Sequence, residues 1–319
     1  MRGLIWAASG LLALAAVAAP WVLGPYQLYI VCLWMIMALS AVGLNIPMGL
    51  ASMHSFGQGA FMLVGAYAVG VSAIHLGSVM FGLAAAVVFS AAVGFLIALP
   101  SLRLTGFALA LVTFSFASLM FGLVKAFDVT GGPQGLVVPD VYLSSMVHSH
   151  ALYYVILALL VAGVAVFRSI GASKTGRALK TLGENELVAR CLGIDVRRYK
   201  IGAFVLSAIY GALAGGMLAL LTTYIAPETF GPELSIDMFA AVAIGGKGTL
   251  IGPLVGALFI VLIPELTQSI QNLAQVVYAL LLCAAVTLYP TGLVGVVRTI
   301  VEKRKAQTVV PAATGASSA

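Results

Sequence analysis

Apolar runs of bilayer-crossing length recur along almost the whole chain, and this recurrence leaves few folds open. A hydrocarbon core about 30 Å thick needs ~20 apolar residues per spanning helix. Such runs lie near 4–23, 28–46, 58–76, 79–99, 104–124, 151–167, 201–224, 249–267 and 274–297, with a shorter one at 235–246. Of the 319 residues 62% are hydrophobic and 8% charged, and the mean hydropathy is +1.12. A water-soluble domain is nearer half apolar and a quarter charged, so a soluble globule, a disordered chain and a disulfide scaffold are excluded. The expected fold class is all-α: a polytopic membrane protein of about ten transmembrane helices, with helices in a cytoplasmic loop.

Charge placement orients the chain. Sixteen Lys and Arg stand against ten Asp and Glu, a net charge of +6. Spread over a soluble face, that excess would suggest an acidic partner such as nucleic acid. Here eight bases crowd one stretch (Arg168, Lys174, Arg177, Lys180, Arg190, Arg197, Arg198 and Lys200), and Arg298, Lys303, Arg304 and Lys305 sit at the C-terminal end. Short basic loops stay in the cytoplasm, so both segments are inside, the partner is the lipid bilayer, and no nucleic acid is expected. An even number of crossings must separate them. The run 235–246 is therefore counted as a crossing, although its length as a helix is only ~18 Å. Ten crossings put both termini inside and leave Lys125 as the one base outside, with six of the ten acids. The first run ends in Val17-Ala18-Ala19 like a signal peptide, but Pro20 at the junction argues against cleavage. Residues 1–305 then make one transmembrane domain, and 306–319 a flexible tail. Cys32, Cys191 and Cys283 are expected as reduced thiols.

Two Gly-rich stretches break the helical pattern. Gly43-Leu44-Asn45-Ile46-Pro47-Met48-Gly49, followed by Ser52 to Gly59, interrupts the first half, and Ile244-Gly245-Gly246-Lys247-Gly248-Thr249-Leu250-Ile251-Gly252-Pro253 the second. Irregular backbone at membrane depth survives only where protein buries it or where it lines a watery cavity. Interrupted segments in corresponding halves point to a transport pathway. Glycines that merely let helices approach closely are the simpler account of any single position.

The inner loop 168–200 is far longer than a connector needs. Within it, Lys174 to Asp195 reads as two short amphipathic helices separated near Gly183. Glu184 and Asn185 are placed to cap the second helix, and Gly193 to end it. Leu187, Cys191 and Ile194 fall at helical spacing and give it an apolar face. A short helix with charge and an apolar face suits docking into a groove on a soluble partner. A loop that binds anionic lipid would carry mostly Lys and Arg, without the acids and glycines.

These residues carry a resemblance. Gly176-Arg177-Ala178-Leu179, Glu184-Asn185-Glu186-Leu187-Val188-Ala189-Arg190-Cys191-Leu192-Gly193-Ile194 and Arg198-Tyr199-Lys200 resemble the coupling region of the branched-chain amino acid ABC transporter permeases of the LivM type. Pro227-Glu228-Thr229-Phe230, Gly245-Gly246-Lys247-Gly248-Thr249, Gly43-Leu44-Asn45, Ser55-Phe56-Gly57-Gln58-Gly59 and Thr130-Gly131-Gly132-Pro133-Gln134-Gly135 fit the same family, so the similarity runs from about residue 40 to 295. One departure is Gln58, where the family commonly carries His. The resemblance implies a permease subunit in the bacterial inner membrane, paired with a second homologous permease, two ATP-binding-cassette subunits and a periplasmic amino acid binding protein. Gly176, Arg177, Glu184, Asn185, Glu186, Ala189, Arg190, Gly193 and Ile194 would then couple to the ATPase. Gly131, Gly132, Pro133 and Gln134 would form an outer gate or seat the binding protein.

The remaining features agree with a non-catalytic subunit that needs no cofactor or metal. No Gly-x-x-x-x-Gly-Lys-Ser/Thr phosphate loop occurs, so ATP hydrolysis falls to partners. Ionisable residues inside the spans are almost absent, Asp237 being the chief exception. Proton- or sodium-coupled carriers usually place acids or His at mid-membrane, which leaves a secondary transporter as the weaker alternative. His54, His75, His148 and His150 show no metal spacing on one helix face. Asn45, Thr113, Ser115 and Ser118 are the candidate pathway groups, the last three as a polar stripe on the fifth run. Hydrogen bonding between helices is the simpler role for each hydroxyl. Other amino acids, urea and small organic acids remain open as cargo beside branched-chain amino acids.

Overall fold

A computed structural model of the protein describes residues 17–139 and 150–267. Most of the expected first crossing (4–16), the expected last crossing, the basic C-terminal end, the 306–319 tail, His148 and Cys283 lie outside the described residues. Ten helices are labelled here: α1 (Pro25–Asn45, running into a wide π turn at Ile46–Leu50), α2 (Gln58–Leu76), α3 (Val79–Ser101), α4 (Gly106–Ala126), α5 (Ala151–Ala172), α6 (Lys174–Glu184), α7 (Glu186–Cys191), α8 (Val196–Thr222), α9 (Pro232–Gly245) and α10 (Gly252–Thr267). Two two-residue strands, β1 (Leu136–Val137) and β2 (Tyr224–Ile225), pair antiparallel.

Six of these helices, α1 with its turn, α2, α3, α4, α5 and α8, are long and apolar enough to cross a membrane. The protein is an all-α, multi-pass membrane protein. Helix α9 has 14 residues, ~21 Å at 1.5 Å per residue, which is short for a crossing, and α10 is described as far as Thr267. They fold back on each other, and a Cβ on Gly245 would overlap the Gly252 backbone. The run 235–246 is thus one arm of a helical hairpin whose tip is the second Gly-rich interruption.

Helix α8 packs against α1, α2 and α3. Lipid is as apolar as leucine, so contact in a membrane is won by close approach of small residues. The interface shows this: Gly65 of α2 lies on the Ala212 backbone, Gly215 of α8 on the Met62 carbonyl, and Gly94 of α3 on Ala208. On α3 the buried residues Gly82, Ala86, Ser90, Gly94, Ile97, Ala98 and Ser101 form one stripe at helical spacing. Phe89, Phe95, Leu96 and Leu99 lie exposed on its other sides, as expected of a helix bordering lipid. Burial on α1 runs without a break from Met35 to Asn45, so its inner half is enclosed by protein.

These contacts make a testable contrast. Gly215→Val forces two backbones apart and is expected to cost ~2 kcal/mol or more, read as a lowered thermal midpoint and a lower folded yield in detergent. Gly122→Ala, with open space at its Cβ, is expected to leave both unchanged. Equal behaviour of the two variants would contradict the packing account.

Candidate functional site

The two Gly-rich interruptions meet. Asn45, fully buried at the end of α1, donates from Nδ2 to the Thr249 carbonyl (2.8 Å) and accepts at Oδ1 from the Gly248 N–H (2.9 Å). Its amide therefore satisfies one donor and one acceptor that the α9–α10 tip leaves open at membrane depth. Gly49 allows the approach, since a Cβ there would overlap both Asn45 Oδ1 and Gly248 N. Gly248 itself has φ +72, a left-handed backbone suited to glycine. Asn45, read from sequence as a pathway group, is here committed to holding the two segments together.

Residues 51–57 run without helix between the turn after α1 and the start of α2. Near their end the Phe56 N–H donates to Thr113 Oγ1 (2.9 Å), which in turn donates to the Ala110 carbonyl (2.9 Å). Thr113 is the eighth residue of α4, ~12 Å along that helix. Next in the chain, buried Gln58 joins three helices. Its Nε2 donates to the Ser40 carbonyl (3.0 Å), and its Oε1 accepts from Ser207 Oγ (3.0 Å). A little further on, the Gly59 N–H donates to Ser235 Oγ (3.0 Å). The expected stripe on α4 divides: Thr113 is buried, Ser115 is exposed, and Ser118 bonds its own helix at the Phe114 carbonyl (3.2 Å). Two positions apart on a helix is ~200° of rotation, so Thr113 and Ser115 face different ways.

One group of side chains escaped the sequence reading. Phe56 stacks on Phe239 of α9 (centroids 4.4 Å apart) and meets Phe114 of α4 edge-on (6.4 Å), with His54 6.1 Å and Lys247 Nζ 5.8 Å from the Phe239 ring. Three separate segments supply these rings, and all three rings are half-buried. Only the position of Phe56 inside a Gly-rich interruption marked it beforehand.

On the basic side, α6 and α7 form a braced elbow. Ser173 caps α6 by accepting from the Gly176 N–H (3.3 Å), and Asn185 caps α7 by accepting from the Leu187 and Val188 N–H groups (2.9 and 3.3 Å). Gly193 ends α7 with φ +74. Glu184 closes α6 instead of capping α7. Gly183 lies against Leu50, Ala51 and Ser52, so the elbow rests on the turn that follows α1. Lys200, only 3% exposed, donates to Glu186 Oε2 (2.8 Å) and to the Ser101 carbonyl at the end of α3 (3.3 Å). Arg190 completes the cluster at Glu186 Oε1 (2.6 Å). The hydrogen bond from Lys200, helped by Arg190, holds the Glu186 carboxyl below the usual carboxylate range. Ala189 is fully buried and Gly176 buried, while Arg177 is exposed and Ile194 half-buried. The outward face of α7 carries Leu187 (73% exposed), Val188 (47%) and Leu192 (68%) beside exposed Cys191.

The opposite side is also built. Tyr224 donates to the Gln134 carbonyl (2.6 Å), the Val138 N–H to the Thr223 carbonyl (2.8 Å), and Lys125 pairs with Glu228 (2.8 Å). Gly131, Gly132 and Gly135 all have positive φ (74, 55 and 72), and a Cβ on Gly131 would overlap the Gly135 carbonyl. Pro133 and Gln134 are exposed on this strap, which ties two loops together and is more than a solvated connector.

A helical membrane domain with irregular backbone meeting at depth, and a braced helical elbow on its basic side, is the build of a transport permease. The chain belongs to the family described as branched-chain amino acid transport system, permease component, which matches residues 26–286. It is 29% identical to the high-affinity branched-chain amino acid transport system permease protein LivM of Escherichia coli K12, over 89% of this chain and 73% of that one. Similarity to LivH of the same organism is 25%, over 81% of this chain and 91% of that one. A probable LivM of Methanocaldococcus jannaschii is 24% identical over 71% of this chain and 76% of its own length. No solved structure matches.

The Glu186 cluster gives a pH test. A carboxyl whose folded pKa is lowered stabilises the fold above its unfolded value and loses that contribution as pH falls through the folded one. The thermal midpoint of the wild type should exceed that of Glu186→Gln from neutral pH down to about 4.3, the ordinary carboxylate value. Below that the two should converge. A gap that widens on acidification would contradict the assignment.

Proposed function

We propose that this chain is a membrane-spanning permease subunit of an ATP-driven importer for branched-chain or related amino acids in a bacterial inner membrane. The names of the LivM and LivH relatives support the cargo class. A permease of this kind works as one of a pair with a homologous partner, receives cargo from a periplasmic binding protein, and is driven by two ATP-binding-cassette subunits. It supplies no catalytic group of its own. Residues 1–305 act as one transmembrane domain of ten crossings, α9 and α10 contributing two. The basic loop 168–200 is the cytoplasmic coupling loop, and 306–319 is a tail.

The observation that carries this reading is the outward face of α7. Leu187, Val188 and Leu192 stand exposed on a six-residue helix that is held from behind by Glu186, Lys200 and buried Ala189. An apolar face on a braced helix needs a groove to fill. When ATP closes the soluble subunits, a surface seated in their groove moves with them, and a flexible basic loop would not. Gly176, Arg177, Glu184, Asn185, Gly193 and Ile194 shape or flank that elbow. On the far side, the strap of Gly131 to Gln134 with exposed Val137 and Tyr224 is the proposed gate and seat of the binding protein.

The test is substitution at the exposed positions alone. Leu187→Ser with Leu192→Ser should weaken association with the ATPase subunits by about tenfold or more and abolish substrate-stimulated ATP hydrolysis. The permease should still insert and keep its thermal midpoint, because neither side chain packs inward. Wild-type stimulation in the purified complex would refute the docking role.

A further inference from the structure

Where α3 ends and α8 begins, Leu99, Pro100, Leu102, Arg103 and Arg197 line a cleft of about 540 Å³. The charges there are unlike the others nearby. Arg198 is paired with Asp195 (2.8 Å), Arg190 and Lys200 with Glu186. Arg103 and Arg197 have no ion pair among the described residues, and both are exposed. Two guanidinium groups on one cleft favour an anion there, and a phosphate matches their donor geometry.

The rest of the cleft says what kind of phosphate compound fits. Its wall continues along the lipid-facing side of α3 through Leu99 (38% exposed), Leu96 (59%) and Phe95 (46%). Leu96, Leu99 and Arg103 follow at intervals of three and four, so an apolar track leads directly to the two charges. A free phosphate or nucleotide has no use for that track. An amphiphile does: its head meets the arginines and its chain lies on the leucines. Basic clefts between spanning helices on the basic side of a membrane are suited to anionic headgroups. We propose that Arg103 and Arg197 form a binding site for an anionic phospholipid of the leaflet on the basic side, its phosphate between the guanidiniums and one acyl chain along Leu99, Leu96 and Phe95. The site joins the end of α3 to the start of α8, three residues from Lys200. It is independent of what the protein transports.

The full chain, reconstituted in nanodiscs of equal phosphatidylglycerol and phosphatidylethanolamine and then released for native mass spectrometry, should retain phosphatidylglycerol preferentially. Arg103→Gln with Arg197→Gln should lower that preference by about tenfold. Lys174→Gln with Lys180→Gln, which removes the same charge elsewhere on the basic side, should leave it in place. Arg103→Lys with Arg197→Lys, which keeps the charge and loses the planar guanidinium fork, should lower it several-fold and serves if the glutamine pair fails to fold. Phosphatidylglycerol should raise the thermal midpoint in detergent for the wild type, and millimolar inorganic phosphate should not. Equal lipid retention by wild type and the glutamine pair, or equal loss in the lysine-to-glutamine control, would overturn the site. Stabilisation by inorganic phosphate alone would reassign it to a free anion.

Discussion

The side-chain amide of Asn45 is the interaction on which the interior arrangement depends. A bilayer offers no water to unpaired backbone groups, so each break in a helix at depth must find partners in the protein. Among the described residues the chain breaks its helices at depth after α1 and between α9 and α10, and one contact joins the two breaks. Asn45 sends a donor and an acceptor to consecutive residues, Thr249 and Gly248, at the hairpin tip. Gln58 works in the same way one level deeper, tying Ser40 of α1 to Ser207 of α8. A neutral amide offers both kinds of hydrogen-bonding group without a charge to bury.

From that contact the rest connects outward. The turn that follows Asn45 ends at Leu50 and Ala51, where Gly183 of the elbow rests. The elbow is pinned a second time through Lys200 to the end of α3. On the proposed docking role, displacement of α7 would have two physical routes into the membrane domain: through the turn to the α9–α10 tip, and through Lys200 to α3 and α8. The first route ends beside Phe56, Phe114 and Phe239, where three segments meet in half-buried rings. A small shift of the tip changes that stack, because aromatic contacts depend on ring offset and angle.

Much of this was legible beforehand, for reasons that can be named. Long apolar runs fixed the class, because length and hydropathy are local properties. Gly43 to Gly59 and Ile244 to Pro253 were marked as interruptions by composition alone, and the elbow by its caps and glycines, with Asn185 and Gly193 placed as expected. What could not be read was who meets whom. Nothing local to Asn45 says that its partners lie some two hundred residues away, and its burial turns a pathway candidate into a brace. The hydroxyls of α4 were grouped as a stripe although the rotation between 113 and 115 already separates them. Lys200 is one of the eight bases of the inner stretch, yet it lies in the first two turns of a spanning helix and is buried. Of the phenylalanine cluster only Phe56 was marked, by its place in a Gly-rich interruption, since a ring in an apolar run looks like any other lipid-facing or core residue.

The central claim is that the elbow, the turn after α1 and the hairpin tip move as one body, held by Asn45. Spin labels at exposed Lys180 on α6 and exposed Lys247 at the tip, in a chain stripped of its other cysteines and assembled with the ATPase subunits, test it by double electron–electron resonance. The account predicts the same narrow distance distribution with and without a non-hydrolysable ATP analogue, and a broadened one once Asn45→Ala is introduced. A shift of the wild-type distance on nucleotide binding, or an unchanged distribution in the Asn45 variant, would contradict it.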